Sequence, residues 1–126
     1  MGIPRIRVSV SNGEGGTERW VQLPVDLGAK YMTLPRRVLA SLDIQTTRRE
    51  TFRFGNGQPL TRDLGFALVR YRHTSARTQV VFGELGDLCI LGVVALGELG
   101  LEVNRASGRI RKSSPCLLPF RLAPGS

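Results

Sequence analysis

The strongest constraint on this chain is the way short alternating segments are cut by glycine-bearing turns. Arg5-Ile6-Arg7-Val8-Ser9-Val10 alternates polar and apolar residues, which sends every second side chain to one face of a strand. Residues 11–18 contain Asn12-Gly13 and Gly15-Gly16, a turn signal, and 19–25 read as a returning strand, so the pair predicts a hairpin. Pro24 near its end points to an edge position or an exit into a loop, because proline donates nothing to a ladder. Residues 51–54 and 60–71 repeat the pattern around Gly55-Asn56-Gly57, where Asn-Gly suits the positive φ of a tight hairpin tip, with a bend expected at Gly65. Beyond it, 72–77 read as a turn, 78–82 as a strand, 83–87 as a turn and 88–91 as a short apolar strand. A last hairpin is expected from 101–103 and 108–111.

Two segments break the strand period. Leu34, Val38, Leu39 and Leu42 recur at helical spacing, and Pro35 fits a first helical turn with Thr33 or Leu34 as cap. Residues 93–99 predict a second short helix, with Gly100 placed to end it. Many short strands with two short helices favour an all-β barrel or sandwich over a βαβ fold. At 126 residues the chain has room for one ordinary domain, assigned to 1–112. Residues 113–126 read as a Pro/Ser-rich tail.

Composition narrows the partners. No apolar run approaches the ~18 residues that a membrane helix needs. The first ten residues carry Arg5 and Arg7 and no signal-peptide apolar core, so a cytoplasmic location is expected. Cys89, in the apolar run Leu88-Cys89-Ile90-Leu91, reads as a buried core residue and Cys116 falls in the tail, so two free thiols are expected. The net charge of +8 permits anionic partners, nucleic acid included. Yet the arginines are scattered and only Arg109-Ile110-Arg111-Lys112 approaches a cluster. Aromatic residues make up 6% of the chain, which supplies a base-stacking surface poorly, so a nucleic-acid-binding β domain is a minor alternative.

The chemistry is reached by subtraction. His73 is the only histidine and lies in a polar turn, so neither a Ser-His-Asp nor a Cys-His system is indicated. One histidine and two distant cysteines do not make the usual zinc site, and no phosphate-cradling Gly-x-x-x-x-Gly-Lys-Ser/Thr pattern occurs. No metal or other cofactor is therefore expected. Carboxylate chemistry remains: two carboxyl groups held together share a proton, so one activates water while the other polarises a carbonyl. Asp26 stands where a strand turns into a glycine loop, between the apolar Val25 and Leu27. On spacing alone, an ordinary turn aspartate is the better account.

The surrounding residues carry more. Val25-Asp26-Leu27-Gly28-Ala29, followed by Thr33-Leu34-Pro35, resembles the active-site segment of the retropepsin-like aspartic proteases, usually Val-Asp-Thr-Gly-Ala with an apolar-Leu-Pro stretch after it. Phe54-Gly55-Asn56-Gly57 resembles the flap of that family. Ile90-Leu91-Gly92 resembles its second signature, and residues 94–103 the helix and strand that follow. The similarity runs from about residue 5 to 111. It implies a closed acid-protease barrel and a homodimer in which each subunit supplies one Asp26, because a single loop pairs with itself only across a two-fold axis. It implies peptide or protein substrates, flap hairpins closing over them, and support of the Asp26 loop by Ile90, Leu91 and Gly92.

Two residues depart from the family pattern. Leu27 replaces the usual Thr or Ser, whose hydroxyl bonds across the dimer and braces the aspartates; leucine offers neither donor nor acceptor. Lys30 stands where retroviral members often carry an acid. Two readings therefore follow from the resemblance: an aspartic endopeptidase, and a module of the same fold with weakened catalysis that binds peptide or dimerises.

Overall fold

The computed structural model describes residues 3–53 and 56–113. Strands β1 (Arg5–Ser11) and β2 (Arg19–Pro24) form the expected hairpin, paired from Arg5↔Pro24 to Val10↔Arg19. Alternation sorts the side chains by face: Ile6, Val8 and Val10 are buried while Arg5 and Arg7 face solvent. The chain then runs through a loop to β3 (Met32–Pro35), α1 (Arg36–Ser41), β4 (Thr46–Arg53), β5 (Pro59–Tyr71) and β6 (Thr74–Gly83). Helix α2 (Val93–Glu98) and the short pair β7 (Leu101–Val103) and β8 (Ile110–Lys112) follow.

The long strand β5 organises the main sheet. One of its edges pairs with β4 through residues 59–65 and with β1 through 68–70, and its other edge carries β6. Strand β3 joins β6 in parallel, so the order is β2-β1-β5-β6-β3 with β4 off the path on β5. The fold is thus mostly β with two short helices, but this sheet is open, which corrects the expected closed barrel. The reason lies at 88–91, where a strand was expected. That segment makes only two isolated bridges, Leu91 beside Val25 and Ile90 beside Thr33. It touches the chain just beyond β2 and the strand β3, the two sheet edges, without laddering along either.

Other differences have local causes. Strand β4 begins at Thr46 rather than 51, because Thr46-Thr47-Arg48-Arg49 is polar and exposed and shows no alternation. Its ladder with β5 holds it instead. Strand β6 likewise starts at Thr74, and the turn before it is tight, with Arg72 at φ 54°. The parallel ladder with β6 keeps 32–35 extended, so α1 starts only at Arg36, with Pro35 as its N-cap instead of Thr33 or Leu34. Gly65 stays within β5, and the irregularity falls opposite it, between Thr46 and Arg48. A Cβ at Gly65 would stand 2.3 Å from the Gln45 carbonyl oxygen, so the chain entering β4 crosses β5 where only glycine fits. Gly100 ends α2 as expected, at φ 73°.

A single large core spans both helices and the main sheet, with Met32, Leu34, Leu39 and Leu91 among its most buried side chains. Cys89 is half-buried against this core rather than within it. A smaller cluster of Tyr31, Leu64 and Val81, flanked by Phe52 and Val94, joins the loop before β3 to β4. No helix among the described residues is long and apolar enough to cross a membrane.

Candidate active site

Asp26 sits on the turn between Val25, which follows β2, and Tyr31, which precedes β3. The turn is fixed by main-chain bonds. The Asp26 N–H donates to the Leu91 carbonyl at 3.0 Å, and the Leu91 N–H donates to the Pro24 carbonyl at 2.9 Å. On the far side, Thr33 and Ile90 exchange two bonds, and the Val93 and Val94 N–H groups donate to the Ala29 and Lys30 carbonyls. The segment Ile90-Leu91-Gly92 is thereby threaded between the two limbs of the aspartate loop, so the two sequence signatures meet in space.

Gly92 is required by that threading. A Cβ there would lie 2.6 Å from the Tyr31 carbonyl oxygen and 2.8 Å from that of Ala29. Gly28 acts differently, through its backbone. Its N–H donates to Asp26 Oδ1 at 2.8 Å, a local turn that orients the carboxylate. Ala29 adds a further bond, from its N–H to the Asp26 carbonyl at 3.2 Å. The Asp26 side chain itself is exposed, as is Leu27 at 46%.

Two clefts open beside the carboxylate. One, of about 510 Å³, runs from Asp26, Gly28, Ala29 and Lys30 past Tyr31 to Phe52, Arg53 and Arg62 on the β4–β5 hairpin. Tyr31 and Phe52 meet edge-on there, with ring centroids 6.0 Å apart, so the aspartate loop and the hairpin share one apolar wall. The other, of about 710 Å³, is bounded by Ile3, Leu27, Leu88, Cys89 and Val103 and is largely apolar. Burial pushes the Cys89 thiol above its ordinary pKa, which keeps it protonated and a poor nucleophile. His73 lies exposed in the β5–β6 turn and lines neither cleft.

The flap candidates divide. Asn56 and Gly57 form the hairpin turn, with Gly57 at φ 83° and Asn56 Oδ1 accepting the Gln58 N–H at 2.9 Å. Phe54 and Gly55 lie outside the described residues, as do Cys116 and residues 114–126 of the tail.

One feature of the cleft was not read from the sequence. Arg62 of β5 makes a two-pronged contact with Asp87, Nε to Oδ2 at 2.7 Å and Nη2 to Oδ1 at 2.9 Å. Both side chains keep only 13% of their accessibility. Asp87 Oδ2 also accepts the Glu84 N–H at 2.8 Å. The guanidinium, more than any other group, holds the Asp87 carboxyl below the usual carboxylate range. The pair pins the turn at 84–87, which leads into Ile90-Leu91-Gly92, to the strand that carries the hairpin. Arg36 adds a second tie, bonding Asp63 at 2.7 Å and Glu84 at 2.8 Å.

Compared with known proteins, the chain matches no family model and no curated sequence.

Proposed function

We propose that this protein is an aspartic endopeptidase that works as a homodimer, with the two Asp26 carboxylates as its catalytic pair. The observation that carries the reading is an exposed, turn-oriented aspartate at the meeting of two clefts, on a loop clamped by Ile90-Leu91-Gly92. Two carboxylates brought together by a two-fold axis titrate as one coupled unit and hold one proton between them. Water adds to the scissile carbonyl carbon as the charged carboxylate takes its proton, and the other carboxyl protonates the carbonyl oxygen. Collapse of the resulting diol breaks the C–N bond, and the amide nitrogen leaves with a proton from the pair.

The apolar surface beside Asp26 favours the dimer. Leu27, Val93 at 40% exposure and Ile3 at 70% stand exposed around the aspartate loop. A symmetric contact would set each Leu27 against its copy and replace hydroxyl bonds by apolar packing. The test is cleavage of a peptide library between pH 3 and 7 by the natural chain and by Asp26→Asn. Cleavage confined to the natural chain is expected, and activity surviving in Asp26→Asn would refute the assignment.

Leu27 also favours a second reading, a peptide-binding or dimerising module with weakened catalysis. Restoring Leu27→Thr separates the two. A natural chain that cleaves as fast as that variant rules out the weakened module.

A further inference from the structure

The cleft of about 510 Å³ beside Asp26 is unevenly charged. Four of its lining residues besides Asp26 bear charge: Lys30, Arg53, Arg62 and Asp87. Arg62 and Asp87 neutralise each other. Lys30 and Arg53 have no carboxylate partner among the described residues. Lys30 rests its ammonium over the Tyr31 ring, 5.1 Å from the centroid, and Arg53 gives one guanidinium N–H to the Gly57 carbonyl at 3.1 Å. Neither contact cancels charge. The cleft therefore holds two unneutralised cations, one on the aspartate loop and one on the β4–β5 hairpin, against the single anion Asp26.

We infer that this cleft selects acidic peptide segments, with Lys30 and Arg53 as specificity-determining residues that pair with Asp or Glu side chains flanking the reacting bond. The inference rests on the cleft being the substrate site of the proposed protease. The geometry suits it. An extended chain lying between the loop and the hairpin sends alternate side chains to opposite walls. A carboxylate turned toward the loop would meet Lys30, and one turned toward the hairpin would meet Arg53. A lysine or arginine there would instead leave both protein cations facing a like charge, so discrimination comes from repulsion as well as attraction. In a symmetric dimer the arrangement is repeated on both sides of the aspartate pair, so acidic residues are favoured before and after the scissile bond.

The test measures binding, so that it does not depend on turnover. The full-length Asp26→Asn chain is titrated with dye-labelled peptides of eight residues that differ only in carrying Glu, Gln or Lys at the two positions flanking the centre. With partly exposed ion pairs contributing up to about fivefold each, Glu peptides are expected to bind about three- to tenfold tighter than Gln peptides, and Lys peptides weaker still. Adding Lys30→Gln and Arg53→Gln should abolish the difference. A control with Arg19→Gln and Arg109→Gln, two exposed arginines outside this cleft, lowers the net charge equally and should preserve it. Equal affinity for the three peptides overturns the inference. So does a preference that the control removes as fully as the cleft variant, or an oligonucleotide that binds the cleft more tightly than the Glu peptide. The natural chain is assayed for cleavage of the same peptides. Cleavage without an acidic preference defeats this inference and leaves the protease reading intact. Acidic-peptide binding without any cleavage defeats the protease reading and, with it, the role of Lys30 and Arg53 in cleavage specificity, leaving only an acidic-peptide binding cleft.

Discussion

Replacing Arg62 with alanine strips Asp87 of its two charge-assisted bonds and leaves it one partner, the Glu84 N–H. The cost lies between two limits. An exposed ion pair is worth at most about 1 kcal/mol, whereas removing one member of a fully buried pair costs ~3–5 kcal/mol because the survivor is stranded. Both side chains keep 13% of their accessibility, which argues for the upper limit, but they stand in the wall of an open cleft that admits water. A loss of about 2 kcal/mol is expected. In urea at fixed protein concentration, with a slope of ~2 kcal/mol/M, the midpoint falls by about 1 M. The deficit should depend on pH. Arg62 holds the Asp87 carboxyl below its unfolded value, so the pair's contribution is complete above the unfolded pKa of ~3.9. It fades as the pH falls through the lower native value, and the natural chain and variant should converge there. A double-mutant cycle with Asp87→Ala should return a coupling of about 1–2 kcal/mol. A deficit below about 0.5 kcal/mol, or one that is unchanged from pH 6 to pH 2.5, would refute the reasoning.

Gly92→Ala should cost more than about 3 kcal/mol or prevent folding, because its Cβ meets backbone at 2.6–2.8 Å on the aspartate loop; recovery of soluble, cooperatively unfolding protein is the measure. Leu39→Ala removes a fully buried α1 side chain and should lower stability by ~2–5 kcal/mol in the same urea assay. Leu27→Asp places a charge on a half-exposed site at the proposed two-fold, and sedimentation should show the dimer replaced by folded monomer.

The sequence announced what was periodic or sterically forced. The β1–β2 hairpin was legible because Ile6, Val8 and Val10 alternate with polar residues, and the end of α2 because Gly100 needs a positive φ. The contact of the Asp26-Leu27-Gly28 loop with Ile90-Leu91-Gly92 was implied by the family resemblance alone and by no local pattern, and Gly92 sits where a Cβ has no room. The first half of β4 was not, because exposed threonines and arginines held by a backbone ladder show no apolar period. Nor was the open sheet. Whether residues 88–91 ladder or merely touch both edges turns on two bridges, which no local pattern encodes. The Arg62–Asp87 pair escaped for a similar reason: its members are 25 residues apart, and each taken singly resembles an ordinary surface charge.

Leu27 bears on the proposed catalysis in a way that the loop geometry narrows. Among the described residues, the bonds that hold the Asp26 turn are made by main-chain groups or by Asp26 itself, among them Asp26 to Leu91, Gly28 to the carboxylate, Ala29 to Asp26, and Val93 to Ala29. None uses the side chain at position 27, which projects outward and is half-exposed. A threonine hydroxyl there would add nothing to the fold of one subunit. Its contribution would fall between subunits, where the spacing of the two carboxylates is set and where an error of ~1 Å can cost about a hundredfold in rate. In the proposed dimer, leucine at this position would leave the loop intact and transfer the alignment of the two aspartates to apolar packing, which is strong but poorly directional. The consequence is separable in measurement. Exchanging Leu27 for threonine should change kcat and the dimer dissociation constant while leaving the unfolding of the isolated subunit almost unmoved. A loop that depended on Leu27 for its shape would show the opposite pattern.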